Sequence, residues 1–168
     1  AALCVTIAAT FTAEPLEASL RFWLTAMGYE ARCSFAPYNQ VLQELLSPES
    51  AFARNTDINV LALRPEDWLR FGGKHALRRD AEHADSPAVF AGARAEPLAA
   101  TLSERTHELT SALSAFASRS RAQIIVWMGP PSGEMAREHG ALLAAIEREI
   151  CACVQGLSNG SMLDHEAL

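Results

Sequence analysis

The segment INVLAL (Ile58–Leu63) decides the fold of this chain. It is a short apolar run with the length and composition of a strand that is buried on both faces, as in a parallel sheet. Pro65 follows closely, and because proline cannot donate to a sheet ladder, it ends the strand. Leu3–Ala8 and Ile124–Met128 have the same character. We expect these three strands to form the centre of one sheet.

Helical patterns separate the strands. The first carries one apolar stripe, formed by Leu16, Leu20, Trp23, Leu24 and Met27. We interpret Trp23 as a core residue and Gly28 as the stop signal just past the helix end. The remaining expected elements are short strands at Arg32–Phe35 and Ser161–Leu163, and helices over Gln40–Leu46, from Leu98 to Phe116 and from Leu142 to Ile150. Asp164 is interpreted as the cap of a following helix.

Strands that alternate with helices require crossover connections, which produce parallel pairing. The sequence therefore predicts an α/β fold, a three-layer sandwich whose parallel sheet has the flavodoxin-like order 2-1-3-4-5. The 168 residues suit one domain. Gly72–Pro97 lacks a sustained apolar period, and we interpret it as an inserted loop that is the least ordered part of the domain. The chain does not begin with Met, and we expect it to be one domain of a longer protein.

Composition excludes several classes of function. The net charge of −6 opposes binding to nucleic acid or to an anionic membrane surface. No apolar run approaches the roughly 20 residues that a membrane span needs. The four cysteines are too few for a secreted disulfide scaffold, so we expect buried thiols and a cytoplasmic location. The histidines are not spaced as metal ligands, and we expect no metal site.

Polar residues follow the predicted strands, and in an open parallel sheet ligands collect at the carboxyl ends of strands. The candidate binding residues are Thr10, Thr12, Tyr38, Asn39, Arg64, Glu66, Asp67 and Ser132. Each also has a structural interpretation. Thr12 suits a helix cap, Glu66 and Asp67 suit a helix start, and Tyr38, Asn39 and Ser132 suit turns.

Arg64 is the most informative of these residues. It directly follows an apolar strand, so its guanidinium needs an acceptor. One of three carboxylates, Glu14, Glu66 or Asp67, would make it a structural ion pair. A ligand acceptor such as the phosphopantetheine of a carrier protein is the alternative. The chain contains no phosphate-binding G-x-x-x-x-G-K-[ST] loop, no G-x-G-x-x-G fingerprint and no G-x-S-x-G nucleophile elbow.

Several stretches resemble the SGNH-like region of FkbH-type proteins, as embedded in non-ribosomal peptide and polyketide synthetases. They are IAATFTAEPL (Ile7–Leu16), LRFWL (Leu20–Leu24), FAPYNQV (Phe35–Val41), NVLALRPEDW (Asn59–Trp68) and IVWMGPPS (Ile125–Ser132). The resemblance implies a three-layer, flavodoxin-like fold, which agrees with the prediction from the residues themselves.

The resemblance also implies where a catalytic site has degenerated. SGNH hydrolases place the nucleophile of a G-D-S motif after the first strand, where this chain has Ala8-Ala9-Thr10. Their D-x-x-H block has no match, since Asp164 and His165 are adjacent. FkbH-type proteins also carry a phosphatase-like domain with a D-x-D motif, and this chain contains no D-x-D. Glyceryl transfer therefore cannot be assigned to this segment.

Three functions follow as hypotheses, and the third is a purely structural spacer that sets the distance between neighbouring domains. The first is a non-catalytic SGNH-like accessory domain of a synthetase, which docks a carrier protein or neighbouring domains and needs no cofactor beyond the carrier's phosphopantetheine. The second is a hydrolase or acyltransferase in which Thr10 is the nucleophile and Asn39 or backbone N–H groups stabilise the oxyanion. It requires a base from outside this segment.

Overall fold

A computed structural model describes residues 2–69 and 95–163 of the chain. Its strands are β1 (Leu3–Ala9), β2 (Ala31–Phe35), β3 (Ile58–Leu63), β4 (Gln123–Met128) and β5 (Gly160–Leu163). Its helices are α1 (Glu17–Ala26), α2 (Val41–Leu46), α3 (Ala51–Arg54), α4 (Ala95–Ala117) and α5 (Gly133–Gln155). A 3-10 turn (Glu14–Leu16) leads into α1, and another helical turn begins at Asp67. None of the helices within these ranges combines the length and the hydropathy that a bilayer crossing requires.

The five strands form one sheet in the order β2-β1-β3-β4-β5, and every pairing is parallel. The predicted fold class and strand order are confirmed. β1, β3 and β4 occupy the centre, as their apolar runs predict. The register places Ile7 beside Val60, and Val60 beside Ile125, so one face of the sheet carries a continuous apolar row.

The two faces of the sheet are covered unequally. The major face carries Ala8, Leu61 and Val126, which pack in one core with residues of α2, α3, α4 and α5. The minor face carries Val5, Ile7 and Ala62, against which Leu20 and Leu24 of α1 pack. This division follows from the period of two along a strand, since successive side chains point to opposite faces. The larger hydrophobic core therefore lies on the major face.

A buried asparagine ties β3 to the helices of the major face. Asn59 is fully buried. Its amide donates to the Phe52 carbonyl over 3.1 Å, and its side-chain oxygen accepts from the Asn55 amide at 3.0 Å. Because each buried amide group has a partner, the polar residue inside an apolar strand avoids the desolvation cost of an unpaired group. Asn59 thus fixes the loop that leads into β3.

The prediction that Trp23 is a core residue is wrong. Trp23 is 63% exposed, Met27 is 61% exposed, and no residue of α1 is buried. The apolar stripe is broader than the contact between helix and sheet, because only Leu20 and Leu24 reach the minor face. The rest of the stripe is left on the surface. Gly28 does end the segment as expected, with a φ of 88°.

Two element boundaries also differ from the prediction. α4 begins at Ala95, so the last residues of the expected insertion Gly72–Pro97 are helical, as a proline in a first turn permits. The rest of that insertion lies outside the described residues, as does Asp164. α5 begins at Gly133, ahead of the expected start, because Ser132 caps it: the Ser132 hydroxyl accepts from Met135 N at 3.4 Å.

Gly160, the first residue of β5, offers a test of the packing between α5 and the edge strand. A Cβ at this position would lie 2.7 Å from the Val154 carbonyl oxygen and 2.9 Å from the Leu157 Cβ. We expect Gly160→Ala to lower the free energy of unfolding by roughly 1–3 kcal/mol, the usual cost of overpacking. Urea denaturation followed by circular dichroism measures this change.

The matched control is Gly140→Ala, because a Cβ there would meet nothing within 4 Å. Alanine in place of glycine in a regular helix gains up to about 1 kcal/mol, and because Gly140 follows a kink at His139, we expect Gly140→Ala to change stability by no more than that. Equal effects of the two substitutions would contradict the packing described for β5.

Candidate functional site

The exits of β1 and β3 meet at one edge of the sheet and form a buried polar network, here called the crevice network, of Thr10, Arg64 and Asp67. Thr10 and Asp67 are both fully buried. The Thr10 hydroxyl accepts from Arg64 N at 2.9 Å and lies 3.3 Å from Asp67 Oδ2, to which it donates. The parallel pairing of β1 with β3 places these residues side by side, as the sequence predicts from their positions at strand ends.

Asp67 binds the guanidinium of Arg64 in a two-point ion pair. Arg64 Nε donates to Asp67 Oδ2 at 2.9 Å, and Nη2 donates to Oδ1 at 2.8 Å. Glu66 Oε1 lies 3.5 Å from Arg64 Nε. The hydrogen bonds that Arg64 donates to Asp67 raise the pKa of Arg64 above its ordinary value, and desolvation opposes this rise. Of the alternatives for Arg64, the internal ion pair is the one observed.

The arrangement around Thr10 is unsuited to nucleophilic attack. Its side chain has no exposed surface, and its hydroxyl proton is directed to a carboxylate that Arg64 already holds. A hydroxyl nucleophile needs a base, an orienting partner and access to substrate. The hydrogen bonds of Thr10 instead join the backbone of β1 to the residue that follows β3. Its observed role is structural.

The other predicted site residues lie around this network. Glu66 Oε2 accepts from Ser132 N at 2.8 Å, which links the exit of β3 to the exit of β4.

The remaining predicted residues lie further out on the same edge. Asn39 has a φ of 55°, as the predicted turn requires, and its backbone N–H donates to Ala9 O of β1 at 3.2 Å. Tyr38 is 45% exposed. Thr12 is exposed, and the cap of the following 3-10 turn is Ala13, without a side-chain bond.

The sequence prediction missed two aromatic residues at this edge. The Arg64 guanidinium lies over the ring of Phe11, 5.8 Å from its centroid. Phe11 in turn meets Trp127 edge to face at a centroid distance of 6.0 Å. The signal was available, because Phe11 stands between Thr10 and Thr12 at the exit of β1. The Phe11 ring therefore covers one face of the guanidinium, and Trp127 packs against Phe11.

A cleft of about 190 Å³ opens beside Asn39, between α2 and α4. Its walls are formed by Val41, Leu42, Gln43, Trp68, Arg105 and Leu109. Residues so distant along the chain could not be grouped from the sequence. Within residues 2–69 and 95–163, no cluster of three His, Cys, Asp or Glu side chains is arranged to hold a metal ion.

The two-point ion pair predicts that replacing Arg64 destabilises the protein much more than replacing an exposed arginine. We expect Arg64→Met to lower the free energy of unfolding by roughly 1–3 kcal/mol, because Asp67 stays buried after losing a charge-assisted bond. In a double-mutant cycle with Asp67→Asn, the double variant should lose clearly less free energy of unfolding than the sum of the losses in the two single variants. Equilibrium urea denaturation measures all four proteins.

The matched control is Arg21→Met on α1. The Arg21 side chain is 63% exposed and lies 3.8 Å from Glu17, so its removal should change stability by less than about 0.5 kcal/mol. Additive losses at Arg64 and Asp67, or equal losses at Arg64 and Arg21, would contradict the structural role of the pair.

Comparisons with known proteins support the fold of this chain, but they show neither a family nor a function. No family model matches the chain, and no curated protein matches it. Among solved structures, it is similar to the N-terminal part of the protein BF1531 from Bacteroides fragilis, which contains a phosphatase domain and was crystallised with Mg. The two share 14% sequence identity and a TM-score of 0.64 over 98% of this chain and 41% of that chain. This chain therefore has the α/β architecture of a segment that spans less than half of that structure.

Proposed function

We propose that this chain is a degenerate, non-catalytic SGNH-like accessory domain of a cytoplasmic non-ribosomal peptide or polyketide synthetase. In this role it docks a carrier protein, or a neighbouring domain, and positions the tethered intermediate. The observation that carries the proposal is the burial of Thr10. The residue at the nucleophile position of the resembled family has no exposed surface and is bonded to Arg64 and Asp67.

The resemblance to synthetase-embedded FkbH-type regions supplies the class of partner. Its motifs are spread over the chain, and three of them place residues in or around the crevice network: the first contains Thr10 and Thr12, the third Tyr38 and Asn39, and the fourth Arg64–Asp67. If these motifs are kept for docking rather than for chemistry, the exposed members should contact the partner. Tyr38 and Thr12 are the exposed members.

The charges at the crevice decide how a carrier would be held. Arg64 carries one positive charge, and Glu66 and Asp67 lie within ion-pair distance of it with two negative charges. The Arg64 side chain is 31% exposed, and a guanidinium has five N–H donors, so it could also donate to a phosphate. Among residues 2–69 and 95–163, however, the carboxylates beside Arg64 outnumber it, which opposes strong attraction of the phosphopantetheine phosphate. We therefore assign most of the binding free energy to contacts between the carrier surface and the neutral rim at Tyr38 and Thr12.

Carrier binding tests the proposal. Isothermal titration with a carrier domain of the parent synthetase should give similar affinities for the apo and phosphopantetheinyl forms, because the phosphate contributes little. Tyr38→Ala should weaken binding about tenfold or more, since an interface tyrosine commonly contributes over 1 kcal/mol.

The control is Tyr29→Ala, which removes a tyrosine of similar exposure from the opposite end of the sheet, just before β2. It should bind carrier as the unchanged protein does. No binding to the carrier or to adjoining synthetase domains, or equal losses for the two tyrosines, would refute docking at this edge.

Catalysis gives an independent prediction. We expect the chain to hydrolyse p-nitrophenyl acetate and acyl thioesters no faster than a Thr10→Val variant, because Thr10 is inaccessible to either substrate. Release of p-nitrophenolate or thiol, followed by absorbance, measures both rates. Turnover that disappears in the valine variant would establish the alternative, a hydrolase or acyltransferase with Thr10 as nucleophile and Asn39 or backbone N–H groups as oxyanion donors.

A further inference from the structure

The junction that leads into the edge strand β5 contains a chemically labile pair of residues. The chain has four asparagines, and Asn159 is the one that is followed by glycine. In an Asn-Gly pair the backbone nitrogen of the glycine can attack Cγ of the asparagine, because the glycine has no side chain to hinder the approach. A five-membered succinimide forms, and ammonia leaves with the proton that the glycine nitrogen gives up. Water then opens the ring to aspartate or isoaspartate, so that an amide is replaced by a carboxylate.

Asn159 is bonded to the segment that leads into β4. Its Nδ2 donates to Ala122 O at 2.9 Å and to Ser120 O at 3.2 Å. Its backbone oxygen accepts from Ile124 N at 2.8 Å, where the pairing between β4 and β5 begins. Three hydrogen bonds of one residue therefore join the start of the edge strand to the start of its neighbour.

The same contacts oppose the reaction while β5 is paired. Attack at Cγ would place negative charge on Asn159 Oδ1, and this buried oxygen has no hydrogen-bond donor among residues 2–69 and 95–163. The nitrogen that leaves is Nδ2, which is held by two carbonyl oxygens. The attacking nitrogen, Gly160 N, donates to Leu157 O over 3.4 Å. The folded chain thus holds both nitrogens of the reaction and leaves its developing charge unsupported.

The strand that provides this protection is the one most easily opened. Within the described part of the chain, β5 pairs with β4 alone, and it is four residues long. Its residues alternate between half-buried and exposed, whereas most residues of β3 are buried. Local opening costs least where few apolar contacts are lost, so β5 should separate from the sheet at a lower free energy than the central strands.

We propose that Asn159–Gly160 is a deamidation site that the fold protects while β5 is paired with β4, and that its conversion detaches β5. Each opening of the strand releases the Asn159 side chain and Gly160 N to water, the co-reactant. A carboxylate only accepts hydrogen bonds, so it cannot replace Nδ2 opposite Ala122 O and Ser120 O. Those carbonyls lose their donor and meet a negative charge, which opposes renewed pairing. The modification therefore makes a transient opening permanent.

Peptide mass spectrometry tests the protection. The chain is held in mildly alkaline buffer, once folded and once in concentrated urea, and the gain in mass at Asn159 is followed with time. We expect deamidation to be at least about tenfold slower in the folded chain, the factor that an opening free energy of about 1.4 kcal/mol produces. Equal rates in the two conditions would overturn the protection.

Asn39 is the internal control for the chemistry, because it is followed by Gln40, whose side chain hinders attack. In urea, where the fold protects neither residue, Asn159 should deamidate clearly faster than Asn39. If the two asparagines react at the same rate there, Asn159 is no special site.

Hydrogen exchange tests the consequence. The deamidated chain carries an additional negative charge, so ion exchange separates it from the unchanged chain. We expect the peptide that covers β5 to exchange at least about tenfold faster after deamidation, whereas the peptide that covers β3 keeps its protection. Asn159→Asp should reproduce this pattern, and Asn159→Ala, which removes the donor without adding charge, should show a smaller effect. Unchanged exchange of β5 would overturn its release, and loss of protection in β3 would show that the effect is not confined to the edge strand.

Discussion

The ion pair between Arg64 and Asp67 is the constraint on which the carboxyl edge of the sheet depends. Asp67 is fully buried, and an isolated buried carboxylate would be strongly destabilising. The guanidinium of Arg64 and the hydroxyl of Thr10 satisfy its oxygens, and the backbone N–H of Arg64 binds Thr10 in return. The exits of β1 and β3 are thereby fixed to each other. Glu66 extends the same connection to the exit of β4 through Ser132.

The sheet could be predicted from the sequence because each central strand is an apolar run that ends at a breaker, and because right-handed crossovers allow few orders of five parallel strands. The surroundings of α1 could not be predicted from the sequence. A helical period shows that a helix has an apolar side, but it does not show how wide a surface will cover that side. The helical period therefore predicts Trp23 in the core, whereas only Leu20 and Leu24 of its stripe reach the sheet. The sequence does not predict the early start of α5, because Ser132 fits a turn as well as it fits a helix cap.

The sequence predicts at which edge of the sheet the site lies, but it does not predict which of the site residues pair with one another. Parallel topology brings Thr10, Arg64 and Asp67 together wherever the loops allow it. The choice among three carboxylates for Arg64 depends on the turn after β3, in which Asp67 N donates to Arg64 O at 3.0 Å and brings Asp67 back beneath the guanidinium. The cleft beside Asn39 joins Trp68 to Arg105, and their proximity depends on how α4 packs across α2. Sequence spacing predicts neither the choice of Asp67 as partner nor the proximity of Trp68 and Arg105.

The distribution of unsatisfied groups separates the two surfaces of this domain. In the crevice, the polar side chains satisfy one another. Among the described residues, the one buried side-chain oxygen without a hydrogen-bond partner is Asn159 Oδ1, just before β5 at the other end of the sheet. Among the described residues, the polar side chains of the crevice network therefore need no ligand to satisfy their hydrogen bonds. Helix α1 differs, because its exposed side chains Phe22, Trp23 and Met27 would each contribute up to about 1.5–3 kcal/mol if they were fully buried. Among the described residues, the most exposed large apolar side chains therefore lie on or next to α1, whereas the polar side chains at the exits of β1 and β3 are bonded to one another.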